Sequence, residues 1–124
     1  MSVIGIGLDV VDIERFRISL ERTPTMRTRL FTPVELEYVA PQADPVPSLA
    51  ARFAAREAVM KSLGLGLGAF GFHDVWVERA ESGAPHLRFT GVALDLAERA
   101  GVTRWHLSLS HSGLVAAAYV VAEG

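Results

Sequence analysis

The stretch Leu49 to Gly64, LAARFAAREAVMKSLG, constrains this chain more than any other. Leu49, Phe53, Met60 and Leu63 recur at helical spacing, alanines fill the gaps, and Gly64 stands where a C-terminal cap belongs. A helix of this composition has little polar face, which predicts a rod through the middle of a small domain. Within it Glu57 and Lys61 lie four residues apart, one turn above each other. As an isolated pair they are a helix-stabilising device worth about 0.2–0.5 kcal/mol. Set among Ala54, Ala55, Ala58 and Val59, they are charges with little exposed face around them, and such charges need partners or a task.

The flanking segments supply a sheet for this helix. Val3 to Val11 is rich in β-branched residues and glycine and predicts a strand ending near Asp9 to Asp12. Gly5 and Gly7 share one face of that strand and would admit a close neighbour. Asp12 is a fitting N-cap for a helix from Ile13. Arg15, Arg22 and Arg29, seven apart, form a stripe on such a helix, which Pro24 must interrupt or kink. Thr32-Pro33-Val34-Glu35 is a capping box opening a short helix to about Val39, and Pro41, Pro45 and Pro47 predict a loop before the central helix.

Beyond the central helix, Asp74 to Arg79 and Leu87 to Phe89 read as a hairpin turning through Ser82 to Pro85. Thr90 is placed to cap a helix over Val92 to Arg99, with Gly101 past its end. Trp105 to His111 alternates as a strand, Ser112-Gly113 turns, and Leu114 to Val121 returns as an apolar strand expected to be buried. The order β-α-α-α-β-β-α-β-β argues an α+β fold, a mainly antiparallel sheet packed with a long central helix, in one domain over residues 1–124.

Composition excludes several functions. The absence of cysteine removes disulfides, thiolate chemistry and cysteine-ligated metals. Met1 to Val11 has no basic leader, and the runs Leu63 to Phe72 and Leu114 to Ala122 are too short to span a bilayer, so the chain is expected to be soluble and cytoplasmic, with no membrane partner. A net charge of −2 argues against a nucleic-acid partner. Locally, Ile13 to Arg29 carries five arginines against two glutamates, a basic patch suited to an acidic macromolecule. Gly66, Gly68 and Gly71 satisfy GxGxxG, but they follow a helix and lead into a strand, the reverse of a dinucleotide-binding turn.

Three segments together resemble the short bacterial holo-acyl-carrier-protein synthases of the 4′-phosphopantetheinyl transferase superfamily. They are Gly5-Ile6-Gly7-Leu8-Asp9-Val10, Arg52-Phe53-Ala54-Ala55-Arg56-Glu57-Ala58 with Lys61, and His106-Leu107-Ser108-Leu109-Ser110-His111-Ser112. The resemblance implies transfer of the phosphopantetheine arm of coenzyme A to a serine of an acyl carrier protein, with release of adenosine 3′,5′-bisphosphate. It implies Mg²⁺ held by Asp9 and Glu57, with Glu57 also placed to receive the serine proton and Lys61 to neutralise the transferring phosphate. Taken alone, Asp9 reads first as a strand-end turn or cap residue, and the resemblance reverses that preference.

The same resemblance puts Arg52, Lys61, Gly64, Ser110 and His111 against coenzyme A, and Arg15, Arg22, Met26 and Arg29 against the acidic carrier. It also implies a homotrimer with coenzyme A in clefts between neighbours, serving fatty acid and lipid biosynthesis. Three departures stand out: Val11 replaces a second acidic residue found in larger members, Arg56 replaces a lysine before the glutamate, and Ala84 replaces the lysine of a Gly-Lys-Pro turn. Asp12 is an outer participant at most, and no role is assigned to His106. The alternative function is a coenzyme A-binding or nucleotide-binding trimer of the same fold without activity.

Overall fold

The computed structural model describes residues 1–124. Strand β1 (Val3–Asp12) leads into helices α1 (Ile13–Arg22), α2 (Met26–Leu30), α3 (Pro33–Val39) and α4 (Val46–Ser62). The hairpin β2 (Val75–Arg79) and β3 (Pro85–Phe89) follows, then α5 (Gly91–Arg99), β4 (Arg104–His111) and β5 (Val115–Glu123). The fold is α+β, with two antiparallel sheets: β1-β5-β4 and the separate hairpin β2-β3.

Helix α4 lies on the three-stranded sheet. Its contact with β1 is bare backbone: a Cβ on Gly5 would collide with the Ser62 carbonyl, and one on Gly7 with the Ala58 carbonyl. Asp9 follows on the same face of β1, since residues two apart alternate back to one side. Around α4 one apolar cluster joins Ala54, Ala55, Ala58, Val59 and Met60 to the hairpin, α5 and the sheet. A second joins Leu49, Ala50 and Ala51 to Ile13, Phe16, Leu20 and Phe31 of the first helices.

Local signals formed as their chemistry dictates, except at α5, where Thr90 stands at the N-cap but its side chain makes no capping bond. Asp12 caps α1 by accepting from the Arg15 N–H at 2.9 Å, and Thr32 and Glu35 complete both halves of the capping box at α3. Two expectations are corrected. Pro47 lies inside the first turn of α4 and not in the preceding loop, because first-turn amides have no helical acceptor and a missing N–H costs nothing there. As expected, Pro24 interrupts the arginine stripe: Arg15 and Arg22 lie on α1 and Arg29 on α2, with Pro24 in the break between them.

The second correction concerns β5, which is only half buried. Ala116, Ala118, Val120 and Ala122 face α4, while Val115 and Tyr119 stand 38% and 43% exposed on the other side. Beside them Ile6, Leu8 and Val10 of β1 are each more than half exposed, so the outer face of the sheet is an open apolar surface. No helix is long and apolar enough to cross a membrane.

Candidate active site

Two cavities flank α4, at opposite edges of the three-stranded sheet. The first, about 340 Å³, lies where the end of β1 meets α1 and α4, and Asp9, Asp12, Arg15, Phe53 and Glu57 are among its lining residues. Lys61 closes it into a charged cluster: its Nζ donates to Asp9 Oδ1 and to the Leu8 carbonyl, both at 3.0 Å. Asp9 and Glu57, forty-eight residues apart in the chain, are thus brought together with Lys61 by the packing of α4 on the glycines of β1.

The electrostatics of this cluster are unbalanced. Partial burial pushes the Glu57 carboxyl above the usual carboxylate range, the Asp9 charge pushes it further, and Lys61 opposes both. Two carboxylates therefore share one ammonium, and that ammonium is committed to Asp9. A divalent cation would relieve this excess. The donor set fits Mg²⁺, a hard ion that takes one or two carboxylates and draws its other ligands from phosphate oxygens and water. No group of three or more His, Asp or Glu side chains gathers anywhere in the chain, so an all-protein cage is absent. Asp12 lines the same cavity but spends Oδ1 on the α1 cap.

The second cavity, about 300 Å³, opens at the β4 edge and brings together Arg52, Ser110 and His111, with Ser48 and Arg79. Arg52 is 1% exposed, and its Nη1 donates to the Ser48 carbonyl at 3.1 Å while Nε and Nη2 have no partner. Burial, above all, lowers its pKa. Glu57 and Arg52 are five residues apart on α4, which turns them about 140° from each other and explains why one helix serves two cavities.

Other candidates lie apart. Gly64, at φ +70°, follows the end of α4 with its N–H on the Lys61 carbonyl and lines neither cavity. Arg22 and Arg29 are exposed, and Met26 is half-buried against the second apolar cluster. Arg17, part of the same basic patch, is withdrawn from any partner: it binds Asp44 through two bonds of 2.9 and 2.8 Å and Glu14 through a third. His106 sits on the open sheet face, 3.4 Å from Glu123.

Arg56, adjacent to Glu57, serves the fold. It is fully buried and pairs through both terminal nitrogens with Glu35, while Nε donates to the Phe72 carbonyl at 2.7 Å. Glu35 also accepts from the Thr32 and Val77 amides, so no charge or lone pair in this group is left for a ligand. Sequence reasoning missed Glu35 as the partner of Arg56 and Arg79 as a wall of the cavity that Arg52 lines, and no local spacing marks either.

Residues 5–122 match the 4′-phosphopantetheinyl transferase superfamily. The chain belongs to that superfamily. Within the phosphopantetheinyl transferases it is similar to the holo-[acyl-carrier-protein] synthase of Streptomyces avermitilis, 52% identical over the full length of both chains. In structure it is similar to the holo-[acyl-carrier-protein] synthase of Neisseria meningitidis, with a TM-score of 0.90 and 32% identity over 99% of this chain and 100% of that one. It is also similar to a holo-(acyl-carrier-protein) synthase from Bacillus anthracis in complex with coenzyme A (3′,5′-ADP), with a TM-score of 0.80 and 29% identity over 97% of this chain and 96% of that one.

Proposed function

We propose that this chain transfers 4′-phosphopantetheine from coenzyme A to a serine of an apo-acyl carrier protein, in a reaction that depends on Mg²⁺. The observation that carries this reading is the convergence of Asp9 and Glu57 on one cavity, with Lys61 bonded to Asp9 beside it, in a chain of this superfamily. Asp9 and Glu57 would hold the Mg²⁺, which when bound supplies positive charge to the diphosphate oxygens. Lys61 presents a point charge to the phosphate being transferred.

The serine oxygen forms a bond to the β-phosphorus as the bond from that phosphorus to the bridging oxygen breaks, and adenosine 3′,5′-bisphosphate leaves with the electron pair. Glu57, whose proton affinity is raised by its surroundings, is the group placed to take the serine proton. Arg52, Ser110 and His111 hold the nucleotide end, and Gly64, outside both cavities, is assigned to coenzyme A by the family resemblance alone. Arg15, Arg22 and Arg29, none of them in a salt bridge, offer an acidic carrier a surface of the right sign, with Met26 as the apolar contact.

The reading includes a homotrimer. The two cavities lie at the β1 and β4 edges of one sheet, and a head-to-tail ring would set the first cavity of one copy beside the second cavity of its neighbour. The open apolar face of Ile6, Leu8, Val10 and Tyr119 gives such a ring something to bury. On this reading the protein works in the cytoplasm and activates carriers for fatty acid and lipid synthesis.

Mass spectrometry of apo carrier proteins incubated with this chain, coenzyme A and Mg²⁺ tests the reading. A gain of one phosphopantetheine, lost on chelation, is the expected result. No gain across several carriers would leave a coenzyme A-binding protein without activity.

A further inference from the structure

Helix α1 meets the rest of the molecule along one apolar stripe. Ile13, Phe16 and Leu20 are buried in the cluster that includes Leu49, Ala50 and Ala51 of α4, while Arg15 and Arg22 stand exposed. Apolar contact is non-directional, so a single stripe holds the helix down but leaves its roll about its own axis weakly set.

Arg17 supplies the missing direction. It lies about 160° around α1 from Arg15. There it binds Asp44 twice, from Nη1 to Oδ1 at 2.9 Å and from Nη2 to Oδ2 at 2.8 Å. A bidentate guanidinium and carboxylate pair fixes angle as well as distance. Apart from Arg17, no side chain of α1 hydrogen-bonds to a residue outside the helix. The space on this flank is otherwise unfilled. A groove of about 280 Å³ lies there, with Leu20, Glu21, Pro45 and Val46 among its lining residues, and the Arg17 and Asp44 pair joins its two sides.

Asp44 is itself anchored. Its Oδ1 also accepts from the Val46 N–H at 3.2 Å, at the first residue of α4. The hydrogen bonds from Arg17, and then the one from that amide, hold the Asp44 carboxyl below the usual carboxylate range, so it stays ionised at neutral pH. Helix α1 is therefore tied to the start of the same helix that carries Glu57 and Lys61.

We propose that Asp44 is a positioning residue for the carrier: through Arg17 it fixes the roll of α1, so that Arg15 and Arg22 receive an acidic carrier at a set angle to α4. This rests on the carrier-dependent transfer proposed above. The sign of the effect separates the role from plain charge. Asp44 is a half-exposed carboxylate beside a basic patch, so as a charge alone it repels an acidic partner, and its removal would tighten docking. As a clamp, its removal weakens docking.

The experiment measures steady-state rates against apo-acyl carrier protein at saturating coenzyme A and Mg²⁺. It compares the natural chain, Asp44→Asn, Arg17→Met and the double variant, with melting curves for each. Asp44→Asn keeps an oxygen for the Val46 amide, so the start of α4 is preserved. The expected result is a carrier KM raised about two- to fivefold in each single variant, the range an exposed ion pair can carry, with kcat and the coenzyme A KM unchanged. The double variant should be no worse than Arg17→Met alone, because both changes remove the same contact. A carrier KM unmoved or lowered in Asp44→Asn, or losses that add in the double variant, would overturn the inference.

A second arm needs no turnover. Fluorescence anisotropy reads binding of the apo carrier without coenzyme A. Weaker carrier binding in Asp44→Asn, by a chain that transfers nothing, would sink the transfer reaction and keep this inference. Carrier affinity unmoved or tightened in Asp44→Asn would sink the inference whatever the activity, and a natural chain that binds no carrier would sink both.

Discussion

Arg56 and Glu57 are neighbours on one helix, yet each belongs to a charged group of the opposite kind. Arg56 pairs with Glu35 in a group where every nitrogen and carboxylate oxygen has a partner and neither residue touches water. Glu57 shares a cavity with Asp9 and one ammonium, half-exposed, with its proton affinity raised. A step of about 100° around α4 separates the two directions. Charge that is balanced and buried holds elements together, and here it ties α3 and the hairpin to α4. Charge that is unbalanced at a cavity wall is kept for something that comes and goes.

The largest expected effect breaks the open group. Glu57→Gln should lower kcat/KM by about 10²–10⁴-fold, with the chain still folded by circular dichroism. Its stability should respond with the opposite sign. Because the folded-state pKa of Glu57 is raised, its ionised form costs stability above that pKa, and the cost is relieved as pH falls through it. Metal-free natural protein should therefore gain stability as the pH drops through the window just above the ordinary glutamate range, and Glu57→Gln should show a flatter profile in that window. Turnover unchanged in Glu57→Gln would remove the residue from the chemistry.

The closed group should answer in stability instead. Glu35→Ala leaves Arg56 as a buried unpaired charge and should cost about 3–5 kcal/mol in denaturant unfolding. If the loss were confined to activity, the distinction between the two groups would collapse. The smallest effect concerns the exposed patch. Arg22→Glu should raise the carrier KM by a few-fold and flatten its salt dependence, since exposed charges act over a Debye length of about 8–10 Å. An unmoved KM would make the stripe a solvated face.

Much of this was legible because its causes are local. The glycine pair of β1, the Asp12 cap, the capping box at Thr32, the hairpin and the Ser112-Gly113 turn all rest on residues within a few positions of one another, and all formed. Asp9 with Glu57 and Lys61 was legible only through the resemblance, since no periodicity links residue 9 to residue 57. What stayed hidden came from distant pairing. Glu35 looked like a capping residue and is one, but its second task, neutralising Arg56 across twenty-one positions, leaves no trace in spacing. Arg79 likewise meets Arg52 only because the hairpin folds against the start of α4. The open face of β5 was hidden too, because an all-apolar run reads the same whether one side is covered or both.

The contact of α4 with β1 through naked main chain has one more consequence. With no side chains between strand and helix to serve as a shim, the gap between Asp9 and the pair Glu57 and Lys61 has a floor set by peptide atoms alone. A single methyl group at Gly7 would lift glutamate and lysine off the aspartate as one rigid piece, detuning the chemistry without altering any residue that performs it.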